Sequence, residues 1–228
     1  VTVRQATAID AIADAYTQRL AALDPVSATY LGIPGHDHEM TDYSPAGHAE
    51  MAQLNRDTLA ELAKATPADH TDRVTLAAMN DRLSLSLELD EAGEFLADLN
   101  VIASPLQGLR DVLDVMPTAT TDDWANIASR VSRVPEAVRG YIESLRAGAR
   151  RGLVPAQLQV REGIQQAAEL ADASTSFFVT FTGGATPDGT AASGALANDL
   201  ATAGRAAAAA YGELVTFLTD ELAAQAPA

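Results

Sequence analysis

Apolar residues recur at steps of three and four along most of this 228-residue chain, a spacing that places them on one face of an α-helix. The pattern predicts a first helix over residues 3–23, which Asp24-Pro25 should end. Residues 26–31 are expected to add one more helical turn before the glycine and proline of "GIPG" force an irregular connection.

Two further helices are predicted before residue 100. Ser44-Pro45 supplies an N-cap and a proline at the first helical position, and this helix should stop before Pro67. The segment "LSLSLEL" at 83–89 alternates as a half-buried strand would. Helical spacing nevertheless extends over all of residues 69–97, and no partner strand is visible elsewhere. We therefore predict a single helix there.

Prolines and N-cap residues mark the helices of the second half. Thr120 can cap a helix together with Asp123, three residues later, as in a capping box. The predicted helices begin at Ser104-Pro105, at Thr120, near Pro135, at Pro155 and near Leu200, and the one from Pro155 is expected to run to about Phe181.

Residues 182–194, "TGGATPDGTAASG", hold four glycines and one proline, which predicts a flexible loop. The closing helix after it carries an apolar stripe from Leu200 through Tyr211 to Leu222. We expect this stripe to be exposed and to support a concentration-dependent dimer or a contact with another domain. The competing interpretation is that it completes the domain's own core.

Composition supports an all-α fold. Hydrophobic residues make up 47% of the chain and aromatic residues only 5%, so the apolar mass consists mainly of Ala, Leu and Val. A domain of this size buries about 70–75% of the surface that its unfolded chain exposes. We predict one helical domain over residues 1–228, a bundle-like array of about seven to nine helices without a sheet.

The net charge of −16 argues against nucleic acid as a partner, since a phosphate backbone is bound by clustered Lys and Arg. Residues 130–162 differ: seven arginines and three glutamates give this segment +4 and leave −20 for the remainder. The favoured interpretation is a solvated or internally paired helix face, and an anion-binding surface is the alternative.

The chain contains no cysteine, which excludes disulfides and sulfur-ligated zinc. It has no apolar run long enough to span a membrane, and its first twenty residues form an amphipathic pattern instead of a signal peptide. We expect a soluble protein without a membrane span, located in the cytoplasm.

"HDHEMTD" at 36–42 is the strongest candidate for metal chemistry, because His38 to Asp42 reads H-E-x-x-D, one letter from the zinc-peptidase motif H-E-x-x-H. His38 and Asp42 could share a ligand face only on a helix. Gly35 before the segment and Ser44-Pro45 after it predict a loop. We therefore interpret it as a polar connection and leave open whether His36 and His38 bind any metal.

Other catalytic signatures are missing from the sequence, which has no G-x-S-x-G, no P-loop and no G-x-G-x-x-G. Ser193 has no histidine near it in sequence, and Trp124 and Phe177-Phe178 are most simply core residues. We predict no catalytic, cofactor-binding or metal-binding residue in this chain.

Three ordered segments carry a family resemblance: "DPVSATYLGIPGHDHEMTDYSPAG" at 24–47, "SPLQGLRDVLDVMPTATTDDW" at 104–124 and "RVPEAVRGYIESLRAGARRGLVPAQLQV" at 133–160. Together they resemble the amino-terminal half of the bacterial domain-of-unknown-function family 885, over most of residues 8–170. The resemblance implies a mostly helical protein more than twice this length, related to zinc metallopeptidases, with an H-E-x-x-H helix in its carboxy-terminal half.

This chain ends before that helix would appear, so no zinc ligand is carried over to any residue here, and zinc is expected only in a missing carboxy-terminal half. The resemblance implies a non-catalytic helical scaffold that forms one wall of a peptide-substrate cleft and packs against that half. The alternative is a self-sufficient helical binding domain of unknown ligand. Whether the protein is an enzyme stays open.

Overall fold

The computed structural model describes residues 4–227, which form ten α-helices and, within that range, no β-strand. Seven helices have twelve or more residues, and three short ones raise the total above the predicted seven to nine. The all-α prediction is confirmed. The helices are α1 (Ala8–Leu23), α2 (Pro25–Tyr30), α3 (Pro45–Leu62), α4 (His70–Ala92), α5 (Pro105–Asp111), α6 (Thr121–Ser132), α7 (Val134–Arg150), α8 (Gln157–Ala171), α9 (Phe177–Gly183) and α10 (Gly194–Phe217).

Side-chain caps fix several helix starts. Thr120 and Asp123 form the predicted capping box of α6, in which the Thr120 hydroxyl accepts from the Asp123 amide and the Asp123 carboxylate accepts from the Thr120 amide. Thr7 and Asp10 do the same at α1. Each such cap contributes about 1 kcal/mol to stability. The local sequence therefore sets these boundaries.

The alternating stretch 83–89 lies inside α4, so the prediction of one continuous helix there is confirmed. α4 packs on α3 and α1, and Leu83 is buried in that contact. Its opposite side carries three exposed apolar residues, Val74 at 55%, Leu85 at 43% and Leu89 at 37% exposure.

The predicted helix from Pro155 to about Phe181 is wrong, because it is broken between Ala171 and Phe177. The Asp172 carboxylate accepts hydrogen bonds from the backbone amides of Ser174 and Thr175, at 2.8 and 2.9 Å. The Ser174 hydroxyl, which donates to the same carboxylate at 2.6 Å, and these two amides together lower the pKa of Asp172 to about 2. A short polar side chain that bonds its own backbone in this way replaces the helical pattern.

The segment 182–194 contains the last two residues of α9, a 3-10 turn at Pro187–Gly189 and the first residue of α10. Asp188 connects the turn to the start of α6: its amide donates to the Ala119 carbonyl, and its carboxylate accepts from the Thr121 hydroxyl, each at 2.9 Å. The flexibility of this segment stays a prediction.

α10 lies at the centre of the larger core and packs against α6, α7, α8 and α9. Leu200, Tyr211 and Leu222 are fully buried in this core, and small residues such as Ala207 let the neighbouring helices approach closely. The expectation that this stripe is exposed is therefore wrong, because the stripe completes the domain's own core. Self-association of the chain stays a prediction.

The first three long helices pack as a separate layer. Ile9, Leu54, Leu62 and Leu83 are buried among α1, α3 and α4 and lie outside the larger core cluster, which runs from Val26 to Leu222. α3 and the 3-10 turn Glu94–Leu96 contact α7 and so join the two layers. Of the helices within residues 4–227, none has the length and apolarity that crossing a membrane requires.

Candidate functional site

The HDHEMTD segment is a loop between α2 and α3, as predicted. Glu39 attracts both histidines, with the His36 Nδ1 atom 2.9 Å and the His38 Nε2 atom 3.6 Å from its carboxylate oxygens. Asp37 instead accepts from the Thr29 hydroxyl at 2.9 Å. Across residues 4–227 no three His, Asp or Glu side chains come together as a metal ion would need.

Arg130 of α6 is fully buried and holds this loop in place. Its guanidinium donates to the carbonyls of Glu39 at 2.7 Å, His36 at 2.8 Å and Pro25 at 3.2 Å, and to the Thr29 hydroxyl at 2.8 Å. Burial lowers the pKa of Arg130, although an arginine remains charged. The conformation of the HDHEMTD loop thus depends on hydrogen bonds from one buried cation, Arg130.

The favoured interpretation of the basic segment is a solvated or internally paired helix face. Arg130 is buried and bonds inside the molecule, but its acceptors are neutral backbone and hydroxyl oxygens. Arg146 does pair internally, with Glu221 at 2.7 Å, and Arg161 pairs with its neighbour Glu162 at 2.9 Å. Arg139 lies exposed on α7. The pattern of charge along the chain could not separate these environments.

A cavity of about 210 Å³ lies where the two layers of helices meet, and we call it the junction cavity. Its walls come from the end of α1, the loop 41–43, the first turns of α3, the last turns of α4, the turn at Phe95 and the start of α5. Half of the polar side chains on these walls are aspartates, and the apolar surface includes Leu23 and Met51.

His48 and Phe95 form an aromatic wall of the junction cavity. Their rings stack with centroids 5.7 Å apart and planes 14° from parallel. Burial lowers the pKa of His48, while Asp90 and Asp42 oppose the shift. At neutral pH His48 is therefore an uncharged ring that offers a flat face and one hydrogen-bond acceptor nitrogen.

Four aspartates line the same cavity: Asp24, Asp42, Asp90 and Asp98. Asp24 accepts from the Thr41 hydroxyl at 2.5 Å, and Asp42 accepts from the Ser44 amide at 2.8 Å. In the part of the chain that the structure describes, no arginine or lysine lies within 4 Å of any of these four carboxylates. The cavity is thus acidic without an internal counter-ion.

Burial raises the pKa of Asp98, and the hydrogen bond from Asn100, at 3.3 Å, opposes that shift only in part. The pKa of the mostly buried Tyr43 is also raised, first by burial and then by the charges of Asp24 and Asp98, and its hydroxyl stays protonated. Burial is the largest cause of both pKa shifts, because a buried site disfavours the negatively charged form of either side chain.

Two glycines let the 42–44 loop approach the helices beside the cavity. A Cβ atom on Gly47 would lie 2.2 Å from the Asp42 carbonyl oxygen, and one on Gly140 would lie 2.9 Å from the Ser44 nitrogen. The Ser144 hydroxyl then donates to the Tyr43 carbonyl at 2.7 Å. The loop position that places Asp42 and Tyr43 in the cavity wall therefore depends on close backbone contacts.

A larger open groove of about 570 Å³ runs between α6 and α10. It is lined mainly by small side chains such as Ala125, Ser129 and Ala206, and among the described residues that line it Asp199 is the one that can ionise. The junction cavity carries more chemistry, and we take it as the candidate site.

Sequence reasoning predicted no site residue. The cavity brings His48 together with Asp90 and Asp98, which follow it by about forty to fifty positions. The sequence held one signal for this site. Ser86 and Asp90 lie four positions apart near the end of α4 and face the cavity, and Phe95 follows them in its wall.

A protein-family model matches residues 25–228, and its description is "Bacterial protein of unknown function (DUF885)". No curated protein matches the sequence. Among solved structures, the fold is similar to one described as "the putative lipoprotein from Colwellia psychrerythraea", with a TM-score of 0.76 and 17% identity. The similarity covers 97% of this chain and 42% of that chain.

Proposed function

Because the chain belongs to the bacterial family DUF885, we propose that it is the helical amino-terminal half of a larger, peptidase-like protein and forms one non-catalytic wall of a substrate cleft. Peptide substrate and zinc, which the resemblance implies for the larger protein, would be bound mainly by the other half. The proposal extends the family assignment, which by itself carries no activity.

The observation that carries this proposal is the coverage of the structural neighbour. Nearly the whole chain, 97%, superposes on 42% of a larger chain, so more than half of that protein lies outside the shared fold. His38 and Asp42 lie in a loop whose backbone carbonyls accept hydrogen bonds from Arg130, so these two residues do not share the helical face that an H-E-x-x-H zinc site uses. We therefore derive no catalytic step within this chain.

The outer face of α4 supports the same proposal. Val74, Leu85 and Leu89 are all at least 37% exposed on one side of a 23-residue helix. Surfaces between domains of one chain are commonly partly apolar, and they become exposed when one domain is considered alone. A further part of the polypeptide packed on this face would complete the wall.

The reading frame downstream of codon 228 is the first test. A long continuation into a helix bearing H-E-x-x-H supports the proposal, and a stop codon contradicts it. With such a continuation, the complete protein loaded with zinc should cleave fluorogenic peptides, and residues 1–228 alone should not. Loss of cleavage on changing the motif glutamate to glutamine is the control for contaminating peptidases.

The alternative function is a self-sufficient helical binding domain. The burial of Leu200, Tyr211 and Leu222 favours it, because the closing helix finishes the domain's own core. A stop codon after Ala228, together with cooperative unfolding of a monomer in solution, would support this alternative over the scaffold.

The compartment is a separate question. The word lipoprotein in the neighbour's description concerns that protein, and a cytoplasmic location for this chain stays a prediction. Fractionation of the native cells, with marker proteins for cytoplasm and envelope, tests it.

A further inference from the structure

We propose that Ile102 and Leu158, which we call the docking pair, form the surface on which the polypeptide segment directly after residue 228 packs. This inference rests on the proposed function, in which the polypeptide continues into a second half. It adds the place where that continuation first contacts the helices described above.

Both residues of the docking pair are large, apolar and exposed. Ile102 is 81% exposed, the largest value for a large apolar residue within residues 4–227, and Leu158 is 53% exposed. The two are connected through their neighbours in sequence, since the Val101 amide donates to the Gln159 side-chain oxygen at 3.0 Å. Single exposed apolar residues are common on protein surfaces, so exposure alone does not mark an interface.

The turn that carries Ile102 is held in one conformation. The Asn100 side-chain oxygen accepts from the amides of Ile102, at 2.9 Å, and Ala103, at 2.8 Å, and its amide nitrogen donates to the Ala103 carbonyl at 2.8 Å. Gln166 donates to the Val101 carbonyl at 3.2 Å and so connects the turn to α8. A contact residue whose backbone is already fixed loses little conformational entropy when a partner packs on it. These bonds therefore prepare Ile102 for a contact instead of letting its turn move.

The position of Pro227 identifies the partner. The Pro227 carbonyl accepts from the amide of Gln157 at 2.8 Å, and Gln157 is the first residue of α8, directly before Leu158. Ala226 packs against the larger core. The last described residues are thus fixed beside the docking pair, and a longer polypeptide continues from there.

The structural neighbour supports a continuation of sufficient length, because the shared fold covers only 42% of that chain. A segment tethered beside Leu158 has a local concentration at the docking pair far above that of a free partner. Tethering therefore favours the following segment over a second copy of the chain, which would have to bind from solution. We expect an apolar face of that segment to cover both residues of the pair.

Single-cysteine labelling tests the proposal, because residues 1–228 contain no cysteine. Ile102→Cys and Leu158→Cys are each made in the 228-residue chain and in the complete protein, with any cysteine of the continuation changed to serine. Since the reactivity of a thiol depends on its exposure, a maleimide should label each position about tenfold or more slowly in the complete protein. Lys64→Cys, at an exposed position just after α3, supplies the reference rate in both proteins.

A charge placed on the pair tests whether one segment covers both residues. Ile102→Glu, added to the complete Leu158→Cys protein, should restore labelling to the rate of the 228-residue chain, because burying a carboxylate under an apolar segment is unfavourable. Gln18→Glu adds the same charge at an exposed position of α1 and should leave labelling slow. Circular dichroism checks that every variant is folded.

The outcomes separate this inference from the proposed function. Relative labelling rates that are equal in the two proteins at either position overturn this inference, as does slow labelling that Ile102→Glu leaves unchanged, and a continuing reading frame keeps the proposed function. A stop codon directly after residue 228 overturns both. Slow labelling of the 228-residue chain that becomes fast on dilution overturns this inference in favour of a dimer.

Discussion

Two groups of aspartates in this protein contrast in one respect. Near the start of the chain, Arg4 joins three carboxylates: it lies 2.6 Å from Asp10 and 2.5 Å from Asp69, and it also contacts the fully buried Asp72. The aspartates of the junction cavity have no such cation in the described residues. The same residue type thus builds a closed structural cluster in one place and an open acidic cavity in the other.

The pKa values of Asp10 and Asp69 shift in the direction opposite to that of Asp98. Hydrogen bonds, chiefly from the Thr7 backbone to Asp10 and from Arg4 to Asp69, lower the pKa values of these two carboxyls. Burial raises the pKa of Asp98. Arg4 thus contacts all three carboxylates of the first group, whereas in the described residues no arginine or lysine lies within 4 Å of the second group. The predictions below begin with the largest expected effect.

Arg130→Met should cause the largest loss of stability. Arg130 is a buried cation that serves neutral acceptors, so its removal leaves the carbonyls of Pro25, His36 and Glu39 without a donor. We expect a loss of about 3–5 kcal/mol in the free energy of unfolding. Urea denaturation followed by circular dichroism measures it, with the exposed Arg139→Met as control. A loss below about 1 kcal/mol would contradict the assigned role.

Asp72→Asn tests the closed cluster. Asp72 accepts from the Thr7 hydroxyl and the Ala68 amide, each at 2.8 Å, and contacts Arg4. Losing the charge should cost about 2–3 kcal/mol in the free energy of unfolding. The matched change Asp90→Asn in the cavity should cost much less. Equal losses in the two variants would remove the distinction between the clusters.

Gly47→Ala tests the cavity wall. The new methyl group would meet the Asp42 carbonyl oxygen at 2.2 Å, so the loop or the helix must shift at a cost of about 1–3 kcal/mol in the free energy of unfolding. Gly108→Ala in α5 is the control, because nothing lies within 4 Å of its added Cβ atom. That control should be neutral or stabilising by up to about 1 kcal/mol in urea denaturation.

Asp98→Asn should have the smallest effect on stability, with a sign that depends on pH. The folded pKa of Asp98 is raised above 3.8, so the folded state loses stability as pH rises through the interval between the unfolded and folded pKa values. The asparagine variant avoids this loss and should be more stable than the wild type by about 1 kcal/mol or less at neutral pH.

Asp69→Asn should change the stability at neutral pH in the direction opposite to Asp98→Asn. Its lowered pKa contributes stability above the unfolded pKa of 3.8, and this contribution disappears as pH falls through the lower folded value. The variant should therefore be less stable than the wild type at neutral pH and equal to it in strong acid. Urea midpoints measured across this range should separate the two variants, and a shared sign would contradict the account.

Local features of this fold were predictable, and long-range ones were not. The Thr120 cap and the course of α4 follow from residues within a few positions of each other. The break at Asp172 was missed because its hydrogen bonds to Ser174 and Thr175 compete with an apolar stripe that continues to Phe181. The apolar stripe and the Asp172 hydrogen bonds are both local signals, but the stripe predicts a continuous helix and the hydrogen bonds predict a break in it.

The candidate site depends on tertiary packing. Arg130 sits among inward-facing residues of α6, and only the folded chain shows that it contacts a loop about one hundred positions earlier. His48 and Phe95 come together because α3 packs on α4. Counting charged residues along the chain gives its net charge, but the count cannot show which aspartates have a cation beside them in the folded protein.

The most direct test of the difference between the two clusters is a carboxyl-carbon nuclear magnetic resonance titration that follows Asp69 and Asp98 in one sample. The account predicts a pKa below 3.8 for Asp69 and above 3.8 for Asp98. A pKa for Asp98 at or below 3.8 in the free protein would contradict the claim that the junction cavity holds carboxylates without a cation.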